Sequence, residues 1–459
     1  MPVQMLIKNG SIVSPLSTVR GHLVIDGGKV QEVLLRDGNL PAAETEIDAT
    51  GLHVLPGLID PHVHFRSPGL EYKEDFESGS SAAVCGGITT VIDMPNVVPP
   101  TGTVDGLDAK LECARGRSHC DYAIYAVLAE GSLPHILPLA QAGVCGFKVF
   151  MGETVGKIPP PSDGELIEQW KVVSETGLRS GVHAEDNSIL HYLRDKLQGE
   201  GRTDPLAFLE SRPPVAEAEA VQRAILFARE AGSKLMIHHI SSRQAVGILR
   251  RVKAEGVVDV RGETGPQYLL LDGRDMVRRG LGSLLRMNPP VRESEHGEAL
   301  FAGLLDGTVD VIGTDHAPHT REEKRYEDRM GDIWKAVSGS HEVETNVPVM
   351  LTVVNEGRMS LNQYVRLQAE NPARCWNLYP RKGHLAPGAD GDVTVVDMRR
   401  EAVIDENRLH SKNRLSPWHG WKVKGLPAFT IVRGQIAARD GEVADGQPTG
   451  QFIKPVSNS

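Results

Sequence analysis

Apolar and polar residues alternate in short runs at the start of the chain. Met5-Leu6-Ile7 passes through Lys8-Asn9-Gly10 into Ser11-Ile12-Val13. Further on, His22-Leu23-Val24-Ile25 runs into Asp26-Gly27-Gly28, a turn sequence that predicts a hairpin. Residues 46–55 close this stretch, and no helical period is present, so 1–55 is expected to be a small β module. The texture then changes. From 56 to 375, apolar runs of strand length alternate with amphipathic segments of helical period. Strands are expected at 58–64, 89–94, 122–128, 146–151, 180–184, 234–240, 257–261 and 309–314. Helices are expected at, among others, 78–85, 164–175, 215–231 and 242–255. Eight such β-then-α units predict an α/β architecture closed into a (β/α)8 TIM-like barrel. A doubly wound open sheet would alternate in the same way, but no glycine-rich phosphate turn follows the first strand. Short strands return in 376–459, at 392–397 and 429–434. The N- and C-terminal segments are therefore expected to meet in one small β-sandwich beside the barrel. The tail from Val443 reads as partly disordered or as a packing arm.

Composition narrows the partners. The 459 residues are 40% hydrophobic and 5% aromatic, with a formal net charge of −10. An acidic balance without a Lys/Arg block argues against a nucleic-acid surface. No apolar run reaches transmembrane length and no basic-then-apolar leader opens the chain, so no membrane partner and a cytoplasmic location are expected. The five cysteines are scattered, odd in number and without a CxxC pair, which suits reduced thiols.

Active sites of such barrels gather at the C-terminal ends of the strands. Those ends carry His62 and His64, Asn96, Lys148, His183, His239 and Asp315. Side chains at i and i+2 of a strand share a face, so His62 and His64 can reach one point, with Arg66 expected on the same side. Taken alone, a His-x-His pair is more often solvated or packed than ligating; four imidazoles, an amine and a carboxylate at successive strand ends reverse that weighting. Nitrogen and oxygen ligands of this kind suit two Zn2+ ions, with Mn2+, Co2+ or Fe2+ allowed by ligand type. One metal could take His62, His64 and Asp315, and a second His183 and His239. Lys148 lies in the apolar run Gly146-Phe147-Lys148-Val149-Phe150-Met151. Burial lowers an amine's pKa, and a neutral amine among cations can bind CO2 as a carbamate, an anion able to bridge two metals. Its bland alternative is a strand-end lysine reaching solvent or pairing with Glu153. Asp315 is expected both to bind metal and to act as the catalytic proton carrier, against the alternative of a helix-capping aspartate. The other histidines lie away from strand ends. His238, adjoining His239, is read as packed or hydrogen-bonded.

These motifs resemble the cyclic-amide hydrolases of the amidohydrolase superfamily: dihydroorotases, hydantoinases (dihydropyrimidinases) and allantoinases. The likeness covers nearly the whole chain. It rests on Pro56-Gly57-Leu58-Ile59-Asp60-Pro61-His62-Val63-His64, the strand around Lys148, His183-Ala184-Glu185, His239-Ile240-Ser241, and Thr314-Asp315-His316-Ala317-Pro318-His319. It implies a binuclear zinc barrel with carboxylated Lys148 bridging the metals, and commonly a homodimer or homotetramer. The loop from His62 through Arg66-Ser67-Pro68-Gly69 to Glu74, with Met94-Pro95-Asn96, is similar to the dihydroorotase version. That likeness implies that Arg66, Asn96 and His319 hold a substrate carboxylate, that Asn288 contacts the substrate amide, and that dihydroorotate is opened reversibly to N-carbamoyl-L-aspartate in pyrimidine biosynthesis.

Other features point elsewhere within the group. Glu263-Thr264-Gly265-Pro266-Gln267-Tyr268 resembles the hydantoinase form, since dihydroorotases usually carry histidine at the position of Gln267. Hydantoinases, however, place a tyrosine where Glu153 stands here, and lack the arginine. The leading expectation is therefore dihydroorotase, the alternative a hydantoinase or allantoinase, and a third a catalytically inactive relative acting as a scaffold. The glycine- and proline-flanked loop 152–161 is expected to be a lid or a plain surface loop.

Overall fold

The computed structural model describes residues 1–35, 38, 40–152 and 158–456. Five strands open the chain: β1 (Val3–Val13), β2 (Thr18–Asp26), β3 (Lys29–Leu34), β4 (Ala43–Asp48) and β5 (His53–Pro56). The β2–β3 hairpin turns through Gly27 and Gly28 at φ +56° and +74°, the two left-handed positions that a tight two-residue turn requires. Eight strands then follow, each leading into helical segments: β6 (Leu58–Val63), β7 (Ile88–Asp93), β8 (Asp121–Leu128), β9 (Gly146–Phe150), β10 (Arg179–His183), β11 (Lys234–Ile237), β12 (Val260–Thr264) and β13 (Val311–Ile312). They form one parallel sheet in sequence order, curled into a nearly closed barrel. The chain ends in β14 (Val393–Val403), β15 (Lys422–Val432), β16 (Gln435–Arg439) and β17 (Glu442–Val443). Because β14 pairs antiparallel with β5, the two ends of the chain join in one nine-stranded sheet around Leu23, Ile25, Val54, Val393 and Ile431.

The helices show why this sequence wraps a barrel. Pro214–Ala231 starts on a proline and ends at Gly232, φ +65°. Ala216, Ala220, Ala224 and Ala228 recur every four residues and are all buried. Such a stripe of small side chains lets the helix lie close on the strands beneath it. The barrel interior is filled from below by Trp376, which meets Tyr125 edge-on at 4.7 Å and stacks on His238 at 5.8 Å. His238 fits because residue 181 is glycine: a Cβ there would lie 1.9 Å from its Nε2. Below the barrel, the Lys382 ammonium lies 2.5–2.9 Å from Asp121, Asp390 and Asp392, binding the terminal sheet to β8. The tail docks as a packing arm, with Gln451 and Ile453 bonding Tyr122 and Val456 bonding Asn377.

Three strand expectations shift, the eighth shortening from 309–314 to Val311–Ile312. The sixth falls at 234–237 rather than 234–240, because His239 turns left-handed at φ +38°. The seventh is 260–264 rather than 257–261. The apolar pair Val257-Val258 suggested the earlier start, yet Val257 is 47% exposed in the preceding turn. This displacement brings Glu263 to the strand's C-terminal end.

The barrel's last joint, between β13 and β6, is made largely by side chains. Asp60 accepts from Thr314 N (3.1 Å), Thr314 Oγ1 (2.6 Å) and His62 N (3.2 Å). Gln368, in a π-helical turn at Arg366–Glu370, donates to Ile59 O (2.8 Å) and Ile312 O (3.1 Å). These contacts stand where a strand ladder would satisfy the same groups. We expect Gln368→Leu, which leaves two buried carbonyls unpaired, to cost about 1–3 kcal/mol of stability. A lowered urea midpoint would show this; an unchanged midpoint would mean that water replaces the amide.

Candidate functional site

At the C-terminal mouth of the barrel the six predicted metal ligands converge. His62 rides on β6, and His64 follows it with its N–H bonded to His316 O at 2.8 Å. Both Nε2 atoms point at Asp315 Oδ1, at 3.3 and 3.0 Å. His183 ends β10, and its Nδ1 lies 3.1 Å from His239 Nε2. His239 also reaches the first group: His62, His239 and Asp315 offer ligand atoms all within 4.8 Å of one another. The two ligand sets expected from sequence thus adjoin one another through His239. Lys148, on β9, is 1% exposed and its Nζ has no hydrogen-bond partner among the described residues. Glu153, offered as its alternative partner, lies outside the described residues, as does 153–157 of the expected lid.

The outer nitrogen of two of these imidazoles is hydrogen-bonded to an acceptor: Glu263 Oε1 stands 2.6 Å from His62 Nδ1 and Asn96 Oδ1 2.7 Å from His64 Nδ1. Glu185 Oε2 lies 3.1 Å from His183 Nε2, which has no hydrogen-bond partner among the described residues. A ring that donates outward presents its other nitrogen inward as a lone pair. Lone pairs therefore face Asp315 and each other at about hydrogen-bond distance, with few protons to share. Burial keeps His64 neutral, its pKa down to about 3, and takes His239 well below the usual range. Burial would raise the Asp315 carboxyl, but the cationic surroundings, the Lys148 ammonium among them, hold it below the ordinary carboxylate range. Burial brings the Lys148 amine down to about 8, within reach of its neutral form at physiological pH. Neutral imidazoles, an anionic carboxylate and an orphaned amine are a donor set that fits divalent metal. His62, His64, His183, His239, Asp315 and a modified Lys148 are the residues that would hold it.

Three residues of the mouth have left-handed backbones: Arg66 (φ +60°), His239 (+38°) and Asp315 (+52°). None is glycine, so each carries local strain that the surrounding fold must sustain. For Arg66 this corrects the sequence expectation. β6 ends at Val63, and Arg66 does not continue the strand face. It turns toward the loop after Asp315, donating from Nε to Pro318 O (3.1 Å), with Nη2 3.3 Å from His319 Nε2. Among the described residues Arg66 makes no ion pair with Glu71, Glu74 or Asp75. Nη1 is buried without a partner. His319 is fully buried beside it. Asn96 has its oxygen on His64, a contact unforeseen from sequence. Asn288 lines a cavity of about 280 Å³ with Ser338, Arg212, Phe208 and Trp334. Arg212 ion-pairs with Glu185, linking that cavity to His183.

Sequence reasoning passed over Glu263, whose carboxylate also accepts from His238 Nδ1 at 3.0 Å. A fully buried glutamate bonded to two histidines carries no periodic signal. Its position at the strand-to-helix turn Glu263-Thr264-Gly265-Pro266, once the strand is placed correctly, is the clue that could have found it. His238 is, as read, a packed and hydrogen-bonded residue.

Comparison with known proteins adds to this geometry. The model of the amidohydrolase family matches residues 53–437. An L-hydantoinase of Paenarthrobacter aurescens is 37% identical over 98% of this chain and 97% of its own length. An allantoinase of Deinococcus radiodurans is 35% identical over the full length of both chains. A dihydroorotase of Methanothermobacter thermautotrophicus is 36% identical over 94% of each. Among solved structures, the L-hydantoinase (dihydropyrimidinase) from Arthrobacter aurescens superposes with a TM-score of 0.94 at 36% identity, covering 98% of this chain and all of that one.

Glu263→Gln replaces one acceptor oxygen by an amide donor that must face His62 or His238. Carboxylates that orient imidazole ligands are typically worth about 10–100-fold in metal affinity. Metal content after equilibration with a chelator is expected to fall accordingly, and wild-type retention would show that Glu263 only packs.

Proposed function

The chain belongs to the amidohydrolase family, and from that premise we propose that it is a two-metal hydrolase of cyclic amides whose preferred ring carries a carboxylate, with dihydroorotate as the leading substrate. The observation that carries this reading is Arg66. A guanidinium with a buried, unpartnered Nη1, anchored through Nε and adjoining His319, lies two residues beyond His64 and within electrostatic reach of Asp315. Burial lowers its pKa to about 10, which leaves it charged at neutral pH. A guanidinium grips a carboxylate with two parallel hydrogen bonds, adding orientation to charge.

Zinc suits the imidazole and carboxylate ligands, and Mn2+, Co2+ or Fe2+ share the preference. The neutral Lys148 amine would attack CO2, form an N–C bond and release a proton, giving a carbamate anion that, with the four histidines and Asp315, would help to hold the metals. Bound there, the metals would supply the Lewis acidity that activates water and polarises the ring carbonyl. Asp315, anionic and left-handed at the mouth, takes up the water's proton on a carboxylate oxygen and passes it to the departing ring nitrogen. Arg66 and His319 orient the ring through its carboxylate. The amide of Asn96, whose oxygen is on His64, and the cavity-lining Asn288 complete the polar surroundings.

A second reading, hydrolysis of a neutral cyclic ureide such as a hydantoin or allantoin, is favoured by the names of the relatives and by Gln267. Its amide donates to Thr314 O at 2.8 Å, behind Asp315, where a dihydroorotase would usually have an imidazole. An inactive scaffold is disfavoured, since all six ligand residues are retained and gathered at one mouth.

Hydrolysis by the metal-loaded protein of dihydroorotate, allantoin, hydantoin and dihydrouracil separates the readings. Arg66→Met is expected to raise KM for dihydroorotate by about a hundredfold while metal content stays at the wild-type level. Wild-type turnover of dihydroorotate by that variant would remove the carboxylate assignment.

A further inference from the structure

We propose that Lys73 is a positioning residue that fixes the proton of His319 on Nε2, so that His319 and Arg66 together present a row of donors to a carboxylate. This rests on the carboxylate reading above and adds a residue to it. His319 is fully buried, so water does not complete its hydrogen bonds. Its two ring nitrogens each face a cation. Nδ1 lies 3.2 Å from Lys73 Nζ, and Nε2 lies 3.3 Å from Arg66 Nη2. Ammonium and guanidinium groups donate and cannot accept. A neutral imidazole has one accepting nitrogen, so one of these two contacts sets donor against donor.

The geometry indicates which one. Lys73 is buried and anchored at 2.8 Å by Glu323 Oε1, which holds its ammonium against Nδ1. The other route for an Nδ1 proton, to Glu323 Oε2, spans 3.5 Å. With Nδ1 accepting from Lys73, the proton sits on Nε2, aimed at Arg66. The unresolved contact is therefore the one on the Arg66 side, where Nη1 also has no partner. An anionic oxygen brought to that edge accepts from the guanidinium and from Nε2–H at once, and relieves the conflict. Gly339, at φ +147°, packs its backbone against this edge: a Cβ there would lie 3.0 Å from Nε2 and 2.8 Å from Cδ2 of His319, so any larger residue would crowd the ring. In this account Lys73 does not touch the substrate. It decides whether His319 offers a proton or a lone pair, and so whether the edge recognises an acceptor.

The test compares two six-membered rings that differ in the carboxylate, dihydroorotate and dihydrouracil, on wild-type, Lys73→Met and Lys73→Arg proteins. Lys73→Met is expected to lower the ratio of kcat/KM for dihydroorotate over dihydrouracil by about tenfold, through KM rather than kcat, and Lys73→Arg to restore most of it. A direct readout accompanies the kinetics: 15N-histidine spectra should show His319, assigned by its loss in His319→Asn, protonated at Nε2 in the wild type. An unchanged ratio in Lys73→Met, or a wild-type His319 protonated at Nδ1, overturns the inference. If Lys73→Met does not fold, the wild-type tautomer decides alone. The parent reading fails separately. If Arg66→Met leaves the dihydroorotate KM unchanged, or the wild type does not turn dihydroorotate over, the carboxylate assignment falls and this one with it. If Arg66→Met raises KM and Lys73→Met does not, only the role of Lys73 falls.

Discussion

Lone pairs directed at one another across the mouth of the barrel are the constraint around which the rest of the structure is arranged. Glu263 and Asn96 each take the outward proton of an imidazole, so His62 and His64 turn their accepting nitrogens inward toward Asp315, while His183 lies between Glu185 and His239. In a low-dielectric interior such an arrangement is costly without cations to resolve it. Lys148 deepens the demand. Its amine is buried without a hydrogen bond, and burial already moves it toward the neutral form that could become a carbamate. The same groups that are unfavourable as a bare core are a well-directed set of metal ligands.

Holding these groups in register is the work of the barrel's weakest joint. His62 and Asp315 stand on either side of the gap between β6 and β13, where the strand ladder gives way to Asp60, Thr314 and Gln368. A side-chain joint can set the spacing of the two ligand arms more freely than a fixed ladder of backbone bonds. The left-handed backbones of Arg66, His239 and Asp315 belong to the same economy of design: each turns a side chain inward at a place where a strand would have carried it past the centre.

Much of this was legible in the sequence because it is periodic or positional. The alternation of strands and helices announces the barrel, the β texture at both ends announces the shared sheet, and strand ends announce the histidines, Lys148 and Asp315. What was not legible depends on hydrogen-bond partners that no period encodes. Glu263 was missed because the apolar pair Val257-Val258 drew its strand three residues too early, and because a buried glutamate looks like any surface glutamate in one dimension. Arg66 was expected on the strand face and instead lies across a left-handed turn against Pro318 and His319. Asn96 is assigned to the substrate from resemblance, and the contact of its oxygen with His64 was not foreseen. Lys73 escaped notice because its significance is a contradiction between two donors, visible only once both lie beside the same ring.

The central claim is that this mouth is built for two cations bridged through a modified Lys148. Metal stoichiometry of the purified protein, loaded with zinc in bicarbonate buffer and measured by inductively coupled plasma mass spectrometry beside Lys148→Ala, tests it most directly. The account predicts about two metal equivalents per chain in the wild type and a clear loss in Lys148→Ala. A wild-type protein that retains no metal, or a Lys148→Ala protein that retains the full complement, would contradict it.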